Sequence, residues 1–261
     1  MKLAVIIPAY NEERRIERTL REYSGYLDNL VKKKNNFDYE ILIVINNTKD
    51  RTEEIVRNWK KKNKKISCLN LKEVGKGNAI IVGFKNALER GFNLIGFVDA
   101  DMSTKPEEYY KLVNYSKNYD GIMASRYLGQ SVVKPKQPVK RRVVSRIGNF
   151  IIRTLFFFPY RDTQCGAKVF KREALEKIIS LLGITNWAFD VDLIYQLRKA
   201  KMRIKELPTV WEDSPDSTLN IKKASTQFFL AIIQLRILNS PFGKITKIFR
   251  PIVNGLWRKI K

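Results

Sequence analysis

The chain has 261 residues and 44% hydrophobic content, which excludes a disordered chain and allows one large α/β domain or two small ones with a sizeable core. Lys and Arg total 50 against 26 Asp and Glu, a formal net charge of +24, so a polyanionic neighbour is expected: nucleic acid, an anionic membrane surface or a phosphorylated substrate. There is no His, which excludes imidazole acid/base chemistry and His metal sites, and the two cysteines, Cys68 and Cys165, are too few for a disulfide framework and fit a reducing compartment.

Met1 leads directly into a strand-like segment, so no signal peptide is expected, and no apolar run reaches the ~18 residues of a membrane-spanning helix. Residues 3–8 read as a first buried strand. The following Asn11 is expected to cap a helix that runs to about residue 34, with Glu12 and Glu13 favourable in its first turn. Residues 39–45 are a second apolar strand, followed by Asn46-Asn47 and a helix to about residue 61. Residues 66–71 form a third strand. Gly75-Lys76-Gly77 then opens a helix to about residue 90.

Residues 94–98 form a short apolar run that ends in Asp99-Ala100-Asp101, the pattern of a buried strand in a parallel sheet. Ligands of open α/β sheets gather beyond the carboxyl ends of the strands. Two carboxylates delivered there are hard oxygen ligands of the kind Mg²⁺ or Mn²⁺ prefers, completed by the oxygens of a bound phosphate. A helix over 105–117, with Pro106 in its first turn, and a fifth strand over 121–125 complete a doubly wound, Rossmann-like parallel sheet in the first half.

The second half differs in composition. Residues 134–172 are rich in Lys and Arg, with Asp162 the only acid. Within them Val143, Ile147, Phe150, Ile151, Leu155 and Phe158 recur at helical spacing, with Arg142, Arg146, Asn149 and Arg153 on a separate arc. This basic amphipathic pattern suits a membrane interface. A short strand over 167–170, helices over 172–182 and 189–200, and a strand over 203–207 follow. A helical stripe from Ile221 to Leu238 is apolar nearly all round in its middle, and Pro241 breaks it. The tail beyond interleaves apolar residues with Lys and Arg and carries Trp257 where a headgroup-level anchor would sit.

Taken together, Ile6-Ile7-Pro8-Ala9-Tyr10-Asn11-Glu12, Gly75-Lys76-Gly77 and Asp99-Ala100-Asp101, in that order, resemble the inverting glycosyltransferases of family 2, with the GT-A fold. Asp162-Thr163-Gln164-Cys165-Gly166-Ala167-Lys168-Val169-Phe170 and Trp187-Ala188-Phe189-Asp190-Val191-Asp192 are similar to its dolichyl-phosphate β-glucosyltransferase branch. The resemblance covers residues 1–215 and implies a nucleotide-sugar half over 1–127 and an acceptor half over 128–215. Residues 216–261 are then expected to be basic amphipathic helices that associate with a membrane.

By the same resemblance, Pro8, Tyr10, Asn11 and Glu12 border the nucleotide. The family's Asp pair after the second strand is replaced by Asn46-Asn47, whose amides can still meet a base edge. Lys76 and Gly77 offer a cation and backbone N–H groups to the diphosphate. Asp99, Ala100 and Asp101 would border the diphosphate and hold its divalent ion, with Ser103 a further ligand. Arg126 would meet a phosphate through its fork. Arg142 and Arg146 are expected to hold the acceptor phosphate, and Asp162, Gln164, Trp187 and Asp190 to shape the sugar and acceptor pocket. Asp99, Asp101, Arg126 and Asp190 are the expected catalytic set.

The implied reaction transfers a hexose, glucose from UDP-glucose, to a polyprenyl or dolichyl monophosphate with inversion and Mg²⁺ or Mn²⁺. The expected location is the cytoplasmic face of a membrane, peripherally, with room for a separate membrane partner. The alternatives are mannose from GDP-mannose and a soluble glycan acceptor. A nucleic-acid binder is disfavoured, because the aromatics form no strand platform for stacking bases.

Overall fold

The computed structural model describes residues 1–135, 139–183, 188–212 and 221–240. Trp187, residues 213–220 and the basic tail from 241 on lie outside the described residues. The chain alternates β1 (Lys2–Ala9), α1 (Ile16–Lys33), β2 (Asp38–Asn46), α2 (Thr52–Lys62), β3 (Ile66–Leu71), α3 (Lys76–Glu89), β4 (Leu94–Val98), α4 (Pro106–Tyr115) and β5 (Gly121–Ser125). Then come β6 (Val132–Lys134), α5 (Val139–Phe156), β7 (Ala167–Lys171), α6 (Arg172–Ile178), α7 (Phe189–Lys199), β8 (Ile204–Pro208), β9 (Val210–Glu212) and α8 (Ile221–Leu238).

Seven strands form one sheet in the order β3-β2-β1-β4-β7-β5-β8. The first half reads out as expected: β1 pairs in parallel with β2 and β4, and β2 with β3. β1, β2 and β4 are buried on both faces, with one apolar layer under α1, α2 and α4 and the other under α3, α6 and α7, while the edge strand β3 is mostly half-buried. That two-sided burial is why they read as continuous apolar runs rather than as alternation.

The second half departs from a doubly wound pattern at one strand. β7 is antiparallel to both of its neighbours and separates β4 from β5, placing Phe97 opposite Lys168 and Val98 opposite Ala167. A short run such as 167–170 gives no sign of its direction, because parallel and antiparallel buried strands share the same composition. The two-stranded parallel sheet of β6 and β9 was not expected either, since each strand is only three residues long.

Two helix starts and ends differ from the sequence reading. α1 begins at Ile16, and Asn11 is not its cap: Asn11 takes a left-handed backbone (φ 53°) and turns its amide to the β2–α2 loop. α6 ends at Ile178 rather than near 182. The apolar stripe expected along residues 143–158 splits. Ile152, Phe156 and Phe158 are buried, whereas Val139, Val143, Ile147 and Phe150 are exposed at i, i+4, i+8 and i+11 along one face of α5. Asn149, expected beside the arginines, is buried. α8 packs on α5, burying Ala231, Ile232 and Leu235 and exposing Phe229, Ile233 and Ile237.

Candidate active site

The C-terminal ends of β1, β2 and β4 bring three βα loops to one rim, and each loop holds one non-glycine residue in the left-handed region: Asn11, Asn47 and Met102. Asn tolerates this conformation because its short side chain bonds locally. Asn11 Oδ1 accepts from the Lys49 backbone N–H (2.9 Å) and the Thr48 hydroxyl (3.1 Å), while the Asn11 N–H donates to Thr48 Oγ1 (3.1 Å). One step on, the Glu12 N–H donates to Thr52 Oγ1 (2.8 Å) and the Glu13 N–H to Asp50 Oδ2 (3.0 Å). Burial pushes the Asp50 carboxyl up, but hydrogen bonds from Thr52, Thr48 and the Glu13 and Thr52 backbone outweigh it and bring the pKa down to about 2. The first two loops are thus stitched into one ledge, with Tyr10 exposed upon it.

The third loop carries the carboxylates. Asp101 Oδ1 accepts from the Ser103 N–H (2.9 Å), and Thr19 Oγ1 clamps the Ala100 carbonyl (2.7 Å). The Lys76 ammonium, at the start of α3, closes on Asp99 Oδ1 as an ion pair. Desolvation lowers the Lys76 pKa, but Asp99, Asp190 and Asp101 together hold it well above the usual ammonium range, so all three carboxylates act on one point. Glu12 belongs to the same group. Burial raises its pKa, the Arg15 fork at 2.7 and 2.9 Å opposes that, and Asp101 and Asp99 add to the rise.

The donors at this spot suit a magnesium-type ion. Ser103 Oγ is buried and makes no hydrogen bond within the protein, and Asp99 Oδ1, buried as well, has the Lys76 ammonium as its ion-pair partner. Among the described residues no group of three or more Cys, Asp or Glu forms a complete cage. One or two carboxylates with the remaining positions left to water and substrate phosphate is the arrangement Mg²⁺ and Mn²⁺ favour, unlike the closed ligand sets of structural zinc.

The other expected residues fall into two classes. Lys76 stands at the rim. Gly77 is buried in the first turn of α3, and the buried Asn46 spends its Oδ1 on the Gly75 N–H (3.1 Å), bracing the turn that delivers Lys76. Pro8 is half-buried at the end of β1.

Arg126 does not present its fork to the rim. Its Nε and Nη2 meet Asp162 Oδ2 and Oδ1 at 2.7 and 2.9 Å, its backbone N–H meets Oδ2 at 2.9 Å, and its guanidinium lies between the Tyr127 and Trp211 rings. Asp162 is fully buried. Desolvation pushes its carboxyl up, and Arg126 more than reverses this and holds it below the usual range. The pair fixes the 161–166 loop, where Glu206 accepts from the Arg161 and Asp162 N–H groups and the half-buried Gln164 donates its N–H to Asp162. Arg142 is half-buried and Arg146 exposed on α5.

That loop ends against Asp99. The Asp99 N–H donates to the Gly166 carbonyl (3.1 Å), and a Cβ at position 166 would stand 2.0 Å from Asp99 Oδ2. Only glycine lets the backbone come this close. The partner of Asp190 was not expected. Its Oδ1 takes a 2.5 Å hydrogen bond from Lys168, a lysine with no exposed surface. The signal was present in Ala167-Lys168-Val169-Phe170, a cation inside an otherwise apolar strand.

The glycosyl transferase family 2 model matches residues 4–179. The chain belongs to glycosyl transferase family 2. It is 33% identical over 242 residues to a dolichyl-phosphate beta-glucosyltransferase of Trichomonas vaginalis, covering 90% of this chain and 72% of that one. It is also 33% identical to the Drosophila melanogaster enzyme of the same name, covering 84% of this chain and 69% of that one, and 32% to the human enzyme, covering 84% and 69%. Among solved structures it superposes on the glucosyl-3-phosphoglycerate synthase of Mycobacterium tuberculosis, crystallised with Mn²⁺ and UDP, with a TM-score of 0.66 at 15% identity, covering 92% of this chain and 81% of that one. The fold is therefore GT-A, and this family 2 chain is a glycosyltransferase.

Proposed function

We propose that the protein transfers glucose from UDP-glucose to a dolichyl-type polyprenyl monophosphate, with inversion. The observation that carries this reading is the convergence of Asp99, Asp101 and Lys76 at the ends of β4 and α3, in a family 2 chain a third identical to dolichyl-phosphate beta-glucosyltransferases. Asp99, Asp101 and the Ser103 hydroxyl would hold Mg²⁺ or Mn²⁺. Bound there, the ion stabilises charge on the departing nucleoside diphosphate. Lys76 neutralises the same diphosphate, and the ledge of Tyr10, Asn11 and Glu12 borders the nucleoside.

A phosphate monoester has its second pKa near ~6, so the acceptor arrives already as a dianion. Its oxygen forms the bond to the sugar C1 as the C1–diphosphate bond breaks, and no proton has to be removed. That suits a chain without His. Catalysis then rests on positioning and charge neutralisation. Asp190 accepts sugar hydroxyls. Arg142 and Arg146 of α5 meet the acceptor phosphate.

The exposed stripes of Val139, Val143, Ile147 and Phe150 on α5 and of Phe229, Ile233 and Ile237 on α8 lie on packed neighbours beside basic residues. We read them as the face that rests on the cytoplasmic surface of an anionic membrane, where the lipid acceptor is presented. Among the described residues no helix is long and apolar enough to cross a membrane.

The test is a donor screen by product mass with dolichyl phosphate in detergent, Mn²⁺, and UDP-glucose or GDP-mannose. Glucosyl lipid from UDP-glucose, abolished by EDTA and by Asp99→Asn, is expected. Mannosyl lipid from GDP-mannose would move the chain to the alternative donor, and no lipid-linked sugar from either would refute the reading. For the membrane face, Ile147→Glu with Phe150→Glu should abolish flotation with anionic vesicles while transfer to a detergent-dispersed acceptor persists.

A further inference from the structure

Lys168 is the second residue of β7 and has no exposed surface; it lies between Ala167 and Val169, and its ammonium stands 5.2 Å over the Phe97 ring. Desolvating such a charge costs several kcal/mol, and replacing a whole buried ion pair by apolar side chains of similar volume is often neutral or stabilising. The two contacts that offset the cost both lead to the rim. One is the Cys165 carbonyl at 2.7 Å, next to Gly166, whose backbone packs on Asp99. The other is Asp190 Oδ1 at 2.5 Å, from the first turn of α7.

Asp190 is a first-turn acid of α7, which the helix dipole favours, but its side-chain hydrogen bond goes to Lys168 and not to its own helix. No side chain caps the start of α7, whereas Asp192 two residues on takes the structural bonds, accepting from the Gly183 N–H and Gln196 Nε2. Asp190 is instead tied through Lys168 to the Cys165 carbonyl, one residue before Gly166, whose carbonyl accepts from the Asp99 N–H and whose backbone packs on the Asp99 carboxylate. In the nucleotide-sugar reading, a diphosphate held by Lys76 and Asp99 would bring its sugar to this side of the rim.

We propose that Lys168 is a positioning residue for the donor sugar: a buried counter-ion that fixes the orientation of the Asp190 carboxylate as an acceptor of sugar hydroxyls. The inference rests on the nucleotide-sugar reading above. An ionised carboxylate only accepts, and its bonds to hydroxyl donors are stronger than those of a neutral acceptor. Without the ammonium behind it, Asp190 is free to rotate away from the sugar.

The test is calorimetric binding of UDP and of UDP-glucose, each with Mn²⁺, to wild type, Lys168→Met, Asp190→Asn and the charge-neutral double variant. The quantity read is the UDP to UDP-glucose ratio of Kd values, which isolates the sugar. Lys168→Met is expected to lower that ratio about tenfold, the worth of one charged hydrogen bond, with UDP itself bound within about twofold of wild type. Because Lys168 acts through Asp190, the double variant should lose no more than Asp190→Asn alone.

An unchanged ratio in Lys168→Met, or a double variant that loses the product of both single effects, overturns the proposal and leaves the nucleotide-sugar reading standing. No UDP binding by wild type refutes that reading and the proposal with it. If Lys168→Met does not fold, Lys168→Gln, which keeps a hydrogen-bond donor without the charge, carries the test: a lowered ratio supports the proposal, and a wild-type ratio overturns it.

Discussion

The two sides of the rim are held by different chemistry. On the side of β1 and β2, neutral or half-exposed groups do the holding: the Asn11 amide, the Thr48 and Thr52 hydroxyls, the Asp50 carboxylate, satisfied by hydroxyls and backbone N–H groups, and the Glu13 carboxylate, which meets the Arg51 N–H and its exposed guanidinium. On the side of β5 and β7, two buried ion pairs do it, Arg126 with Asp162 and Lys168 with Asp190. The first arrangement is a sum of small terms that can be lost one at a time. The second is all or nothing, because removing one partner strands the other charge without water. A loop that must admit a nucleotide suits the former, and a loop whose glycine must stay pressed against Asp99 suits the latter.

The sharpest way to break this contrast is Asp162→Asn. It leaves the Arg126 guanidinium buried with a neutral partner and should cost about 3–5 kcal/mol, read as a shift in urea midpoint. The Arg126→Met, Asp162→Leu double variant should recover most of that loss. If Asp162→Asn costs no more than a surface substitution, the second side is not held by its ion pairs and the distinction fails.

How far these two sides could be read in advance follows the same division. The ledge and the carboxylates lie at the ends of apolar runs, and residues 94–98 followed by Asp99-Ala100-Asp101 point to the rim by local pattern alone. The buried pairs are long-range. Arg126 and Asp162 are 36 residues apart, and Lys168 and Asp190 are 22 apart. Nothing in the local sequence at Arg126 says whether its fork meets a substrate phosphate or a protein carboxylate, so it read as a phosphate ligand. Lys168 was visible in principle as a cation in a buried strand, but the direction of β7, which aims it at Asp190, was not. The stripe on α5 misled for another reason: an apolar residue at helical spacing carries no mark of which neighbour covers it, so Ile152 and Ile147 look alike in sequence and end on opposite faces.

A smaller effect sharpens the comparison from the first side. Asp50→Asn keeps one acceptor oxygen for the Thr48, Thr52 and Glu13 donors and loses the charge, in a half-exposed setting where solvent screens the difference. It should cost about 1 kcal/mol at neutral pH. The sign of its pH dependence is fixed by the depressed carboxyl. The unfolded chain binds the proton more readily than the fold does, so the stabilisation by ionised Asp50 is present above the ordinary carboxylate pKa of about 3.9 and is lost as pH falls toward 2. Asp162, also depressed, adds in the same direction. Wild-type urea midpoints should therefore fall between about pH 4 and pH 2, and Asp50→Asn should flatten that slope without removing it, because Asp162 still titrates. A variant whose acid limb matches wild type would mean that Asp50 gains nothing from its hydroxyl cage. The ledge would then be held by Asn11, the backbone and the exposed Glu13–Arg51 pair.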